Sequence, residues 1–138
     1  IHQLQVVMNV AARLVTETGR YEHITPVLRD LLHWLPVQQR IIFKIAVLAF
    51  NCIRGTGPVY FNDVCVPLAS IPGRTCLRAA SRGDLLVPAT KTMISGRSFR
   101  IAAPTVWNSL PLHLHDNTIS ERQFKSGLKT HLFNLAYK

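Results

Sequence analysis

The chain has 138 residues, 48% of them hydrophobic and 17% charged, a length and balance that let one ordinary domain bury a core and that exclude a disordered chain. Sixteen Lys and Arg against seven Asp and Glu leave a net charge of +9, so a polyanion, with nucleic acid first among them, is the natural electrostatic partner. The longest uncharged apolar-rich run, Ile45 to Ile53 between Lys44 and Arg54, falls well short of the roughly 18 residues of a membrane helix, so no membrane partner is expected.

From Leu4 the apolar positions Val7, Met8, Ala11, Leu14 and Val15 recur at three- and four-residue spacing and predict a helix over 2–18, ended by Gly19 and Arg20. Thr25-Pro26 is a helix start, with Thr as N-cap and Pro where a donor is not needed, and predicts a short helix to about His33. Pro36 repeats that signal, and Ile41, Ile45, Leu48 and Cys52, widened by Ile42, Ala49 and Ile53, predict a helix over 37–54 stopped by Gly55 and Gly57. Between Gly55 and Gly96, Pro58, Pro67, Pro72 and Pro88 exclude long helices. One helical turn is expected over 59–64, and 76–79 with 85–87 read as strands of a small hairpin around 81–84. Over 98–110, Phe99, Ala102, Ala103, Val106 and Trp107 keep helical spacing, but Pro104 either kinks the helix or begins it, and a start near Pro104 is favoured. Ser120 and Gln123 have capping-box spacing, and Phe124, Leu128, Leu132 and Leu135 carry a last helix to about Ala136, weakened by Gly127. The expected fold is mainly α: one module with a helical part over 1–57, a Pro- and Gly-rich basic insert over 58–96 that is irregular or forms a β-hairpin, and a C-terminal helical part over 97–138.

Metal-dependent phosphoryl transfer needs clustered carboxylates, yet Glu17, Glu22, Asp30, Asp63, Asp84, Asp116 and Glu121 are scattered singly. Such single carboxylates are usually solvated charges or caps, so no catalytic residue is assigned. Gly55-Thr56-Gly57 leads into Pro58 without the Lys-Ser or Lys-Thr of a phosphate-binding loop. His113 and His115, with Cys65 and Cys76 upstream, match no ordinary zinc spacing and read as solvated loop histidines. No metal and no cofactor is therefore expected. Cys52, Cys65 and Cys76 are an odd number without C-x-x-C spacing, which suits buried structural thiols in a reducing, intracellular compartment. Nothing near the start reads as a secretory signal.

Charge distribution is the informative feature. Arg74, Arg78, Arg82, Lys91, Arg97 and Arg100 stand against Asp84 alone over 74–100, and Lys125 and Lys129 add one face of the last helix. Lys and Arg bind phosphates whatever the base sequence, so these eight residues are the candidate nucleic-acid contacts; the competing reading is a solvated, solubilising surface. Trp34, Phe99, Trp107 and Phe133 could stack on bases but lie in apolar stripes or beside prolines, which favours core positions.

Leu4-Gln5-Val6-Val7-Met8-Asn9-Val10-Ala11-Ala12-Arg13-Leu14-Val15, His23-Ile24-Thr25-Pro26-Val27-Leu28, and His33-Trp34-Leu35-Pro36-Val37 running into Arg40-Ile41 and Phe43-Lys44 form an ordered set of blocks. They are followed by Leu77-Arg78, Leu86-Val87-Pro88, Gly96-Arg97-Ser98-Phe99, Ala102-Ala103-Pro104, Trp107-Asn108-Ser109-Leu110-Pro111 and Phe124-Lys125 to Leu128-Lys129-Thr130-His131-Leu132-Phe133. Over nearly its whole length the chain thus resembles the C-terminal end of the reverse transcriptase encoded by jockey-like and chicken-repeat-like LINE retrotransposons. The resemblance implies the end of the thumb, over 1–57, plus the C-terminal region of an RNA-directed DNA polymerase whose metal-binding aspartates lie upstream. It implies no catalysis by this segment itself, RNA or an RNA–DNA duplex and the upstream polymerase domains as partners, and residence in the cytoplasm and nucleus of a host cell. Leu31-Leu32 holds one residue more than the family spacing, enough to rotate a helix by about 100°, and His113 and His115 stand where the family often has basic residues.

Overall fold

The computed structural model describes residues 1–61, 63–90 and 92–138, and the fold is mainly helical. Helices α1 (His2–Thr16), α2 (Ile24–Pro26), α3 (Val37–Ile53), α4 (Arg78–Ser81), α5 (Met93–Gly96), α6 (Phe99–Asn108) and α7 (Glu121–Ala136) follow in chain order. The chain forms two compact units, one of residues 1–43 with 128–138 and one of residues 44–127. Among the described residues no helix is long and apolar enough to cross a membrane.

In the first unit α1 stops at Thr16, two residues before the expected end, because Glu17 itself takes the left-handed conformation (φ 55°) that caps the helix. Thr18 N–H then returns to the Arg13 carbonyl at 3.2 Å. The Arg13 guanidinium closes the following turn, donating to the carbonyls of Gly19 and Glu22. The helix expected from Thr25-Pro26 begins at Ile24 and widens into a π turn over Val27–Leu31. A π turn holds one residue more than an α turn. His33 follows with φ 50°, and Trp34 N–H reaches back to the Leu28 carbonyl at 2.8 Å, satisfying an acceptor the helix end leaves open.

The core of this unit is Met8, Ala12 and Leu28, with Ile24, Leu32, Trp34, Val37 and Tyr137 packed around them. Gln5 ties α1 to the start of α3 by accepting from Val37 N–H at 2.9 Å, and Tyr137 O–H donates to the Trp34 carbonyl at 2.6 Å. Of the apolar stripe of α1 only Met8 is buried. The buried line runs through Met8 and Ala12, whereas Leu4, Val7, Leu14 and Val15, centred on Ala11, are 59–77% exposed. The two lines are rotated by about 100°, one residue of an α-helix.

In the second unit the turn expected over 59–64 is a 3-10 turn at Val59–Phe61. The 58–96 insert is irregular, and the expected strands do not form. Arg78–Ser81 is the helical turn α4, which suits the helix-forming pair Ala79-Ala80, and Gly83 ends it at φ 77°. Leu85 instead pairs in an antiparallel bridge with Pro67, held by Leu68 N–H to Asp84 O at 3.0 Å and Leu86 N–H to Val66 O at 2.8 Å.

Helix α6 starts at Phe99 rather than near Pro104, and Pro104 lies inside it. One backbone donor is lost, but the ring is fully buried, so its apolar contacts offset that loss. The capping box of α7 is present: Ser120 N–H donates to Gln123 Oε1 at 2.8 Å and Gln123 N–H to Ser120 Oγ at 3.3 Å. Gly127 has a packing role beyond weakening α7, because a Cβ there would stand 2.9 Å from Leu114 Cδ2. Leu114 is itself 2% exposed, so its methyl must shift within the interior to admit one. Gly127→Ala is therefore expected to lower the melting temperature although alanine is the better helix former by about 1 kcal/mol, and pairing it with Leu114→Ala is expected to be less destabilising than the two losses added, as thermal unfolding of the four proteins will show.

Candidate nucleic-acid interface

A segment broken by prolines cannot satisfy its backbone through a ladder, so the insert needs side-chain partners. Helix α6 supplies them. Trp107 Nε1–H donates to the Gly83 carbonyl at 3.0 Å. Asn108 grips Leu85 on both sides, accepting from its N–H at 2.8 Å and donating to its carbonyl at 2.9 Å. His115 lies face to face with Trp107, centroids 4.8 Å apart. Its Nδ1 is 2.9 Å from the Arg82 carbonyl and its Nε2 2.9 Å from the Trp107 carbonyl. Both partners are backbone carbonyls, which only accept. The buried carboxylate of Asp84 lies 3.8 Å from Nδ1. The expectation that His113 and His115 are both solvated holds for exposed His113 alone; His115 is buried, its ring stacked on Trp107 and its nitrogens against the Arg82 and Trp107 carbonyls.

On this frame the charge-based set sorts itself. Arg74 follows the 3-10 turn Leu68–Ser70, Arg78 opens α4, Arg82 closes it, Arg97 precedes α6 and Arg100 lies in its first turn, and all five are exposed. Arg78 and Arg82 stand at i and i+4 about the turn of α4 and share one side of it. Lys91 is outside the described residues. Arg82 Nε is 3.9 Å from Asp84. Lys125 is bound to Glu121 at 2.6 Å, and that contact holds the Glu121 carboxyl below its usual range. Lys129 is exposed and belongs to the other unit. Among the described residues Arg74, Arg78, Arg97, Arg100 and Lys129 make no ion pair, which leaves their charge uncommitted.

Sequence reading passed over Arg40, whose guanidinium lies 5.4 Å from the Trp34 ring centroid. The available signal was a single cation six residues after a tryptophan, a spacing that is ordered only because the chain turns at Pro36. Arg54 is also engaged, stacked 4.9 Å over Phe50 and donating to the Ile119 carbonyl at 2.9 Å.

Among the described residues no group of three or more His, Cys, Asp or Glu side chains is arranged to hold a metal ion. Cys52 and Cys65 are buried side by side and Cys76 is exposed. Burial, with Cys52 beside it, pushes the Cys65 thiol up to about 12. The thiols are thus two inert core groups and one surface group. Compared with known proteins, the chain matches no family model, no curated sequence and no solved structure.

Two outcomes follow from this geometry. At pH 8 a maleimide is expected to modify Cys76 in the folded protein and to reach Cys52 and Cys65 only on unfolding, counted by mass spectrometry. His115→Phe keeps a ring against Trp107 but removes the contacts of both ring nitrogens with the Arg82 and Trp107 carbonyls, and is expected to cost about 1–3 kcal/mol in chemical denaturation.

Proposed function

We propose that the chain is a non-catalytic, nucleic-acid-binding module, the C-terminal segment of a LINE-type reverse transcriptase, that helps hold template RNA or a primer–template duplex. The observation that carries this reading is the set of exposed guanidinium groups at Arg74, Arg78, Arg97 and Arg100, uncommitted to any carboxylate and mounted on short turns around a rigid anchor. Cations already neutralised by a partner contribute little to phosphate binding, whereas uncommitted ones displace counterions. The scattered carboxylates agree with a role in holding rather than in nucleotide addition. The sequence blocks from Leu4 to Phe133 supply the polymerase context, and in that context the module works beside upstream polymerase domains.

A second reading, a structural scaffold or protein-interaction piece with no RNA contact, is favoured by one feature. The exposed stripe of Leu4, Val7, Leu14 and Val15 on α1 is a contiguous apolar surface of the kind that packs against protein. Each of these side chains would contribute roughly 1.5–3 kcal/mol if fully covered.

Fluorescence anisotropy with a labelled structured RNA at several salt concentrations separates the two. Log affinity is expected to fall steeply and linearly with log salt. Reversing Arg78, Arg97 and Arg100 to glutamate is expected to weaken binding by about tenfold or more at 0.1 M salt and to flatten the slope by about two. A folded triple variant that binds as tightly as the parent establishes the scaffold reading instead.

A further inference from the structure

Within the first unit, an aromatic and cationic groove lies outside the arginine-rich insert. We infer that this groove, between His33 and Phe133 and flanked by Lys129 and Arg40, binds single-stranded nucleic acid by stacking a base on its rings while the two cations hold the adjoining phosphates. This rests on the nucleic-acid reading above and gives it a definite site.

The groove is formed by two cavities that share His33 and Lys129. One, of about 350 Å³, is lined by His33, Lys129, Thr130 and Phe133. The other, of about 220 Å³, extends past Trp34 and Arg40 to Phe43. The His33 ring is stacked over Phe133, centroids 6.1 Å apart and planes 23° from parallel, and Phe133 is braced from behind by Tyr137 at 4.8 Å. Lys129 and Phe133 are i and i+4 on α7, so the ammonium and the ring share one face. Arg40 is fixed by its Nε–H bond to the Leu35 carbonyl at 2.8 Å and by the Trp34 ring beneath it. Neither cavity is lined by a carboxylate. Asp30, whose carboxyl feels His33, is already bound to Arg29 at 2.7 Å.

His33 holds its ring there at the expense of a left-handed backbone, φ 50°, a conformation in which glycine is the default residue. The left-handed backbone is that of a helix end, and it leaves the His33 ring exposed over the face of Phe133. A single strand, not a duplex, fits the groove, because ring faces can stack only on bases that are free of a helix. An acidic peptide would meet the cations but leave the rings without a partner.

The test uses the full 138-residue chain, a fluorescein-labelled uridine 12-mer, a duplex RNA of equal length and a poly-glutamate competitor. His33→Gly removes the ring and suits the backbone, so its melting temperature is expected to stay at or above that of the parent while affinity for the 12-mer falls about tenfold, the loss of one stacked base. Lys129→Gln is expected to fold normally and to flatten the salt slope by about 0.7. If the parent binds the 12-mer and both variants bind it equally well, the groove proposal falls and the nucleic-acid reading stands. Binding of duplex but not of the 12-mer, or displacement of the 12-mer by poly-glutamate at matched charge, also overturns the groove. Failure of the folded parent to bind either RNA overturns both.

Discussion

The second unit depends on the requirement that an insert too rich in proline to form a ladder must have its backbone satisfied by side chains. Trp107, Asn108 and His115 meet it together. The indole donates to Gly83, the amide acts toward Leu85 as a neighbouring strand would, and the imidazole bridges Arg82 and Trp107. Because the same indole stacks on His115 and lies 5.9 Å from Phe124, which stacks on Phe50 at 4.3 Å, polar satisfaction and apolar packing share one centre. Removing one donor would therefore strand several acceptors at once, and the cost of such groups rises as water is excluded.

That arrangement bears directly on the exposed arginines. Short turns such as α4 are too brief to be stable in isolation, so the directions of Arg78 and Arg82 are set by what holds residues 82–85. The bridge between Pro67 and Leu85 and the grip of Asn108 on Leu85 provide that hold. Guanidinium groups on an ordered turn lose less entropy on meeting a phosphate than they would on a free loop. Order in the insert and the proposed role in phosphate binding are thus linked through one tryptophan and its two polar neighbours.

Helix existence was legible where periodicity and capping agreed. The stripe of α3 and the Ser120–Gln123 box both led to helices within a residue or two of the observed bounds. Which face a helix buries was less legible: α1 has a clear stripe, yet the line through Met8 and Ala12 is the one covered. Periodicity reports that a face is apolar and says nothing of what covers it. Pro104 misled because the rule against interior proline neglects burial of its ring, and 76–79 with 85–87 misled because two short extended-looking runs can find other partners than each other. The burial of His115 was invisible because its partners are backbone carbonyls, which carry no side-chain signal. On the candidate site, the exposed arginines could be counted from sequence, but their freedom from carboxylates could not, since Lys125 with Glu121 and Arg82 with Asp84 differ from the others only in local geometry.

The two units leave different kinds of surface unsatisfied. The first exposes an apolar stripe on α1 and an aromatic groove beside Lys129 and Arg40; the second exposes uncommitted guanidinium groups. An apolar stripe is stabilised only by excluding water over a wide, shape-matched area, which a polyphosphate chain cannot do and a protein neighbour can. Uncommitted arginines gain by releasing counterions from a polyanion, which an apolar neighbour cannot offer. The two demands are chemically exclusive, so no single partner meets both. A protein neighbour on the α1 stripe and a nucleic acid on the cations would each meet the surface its chemistry requires.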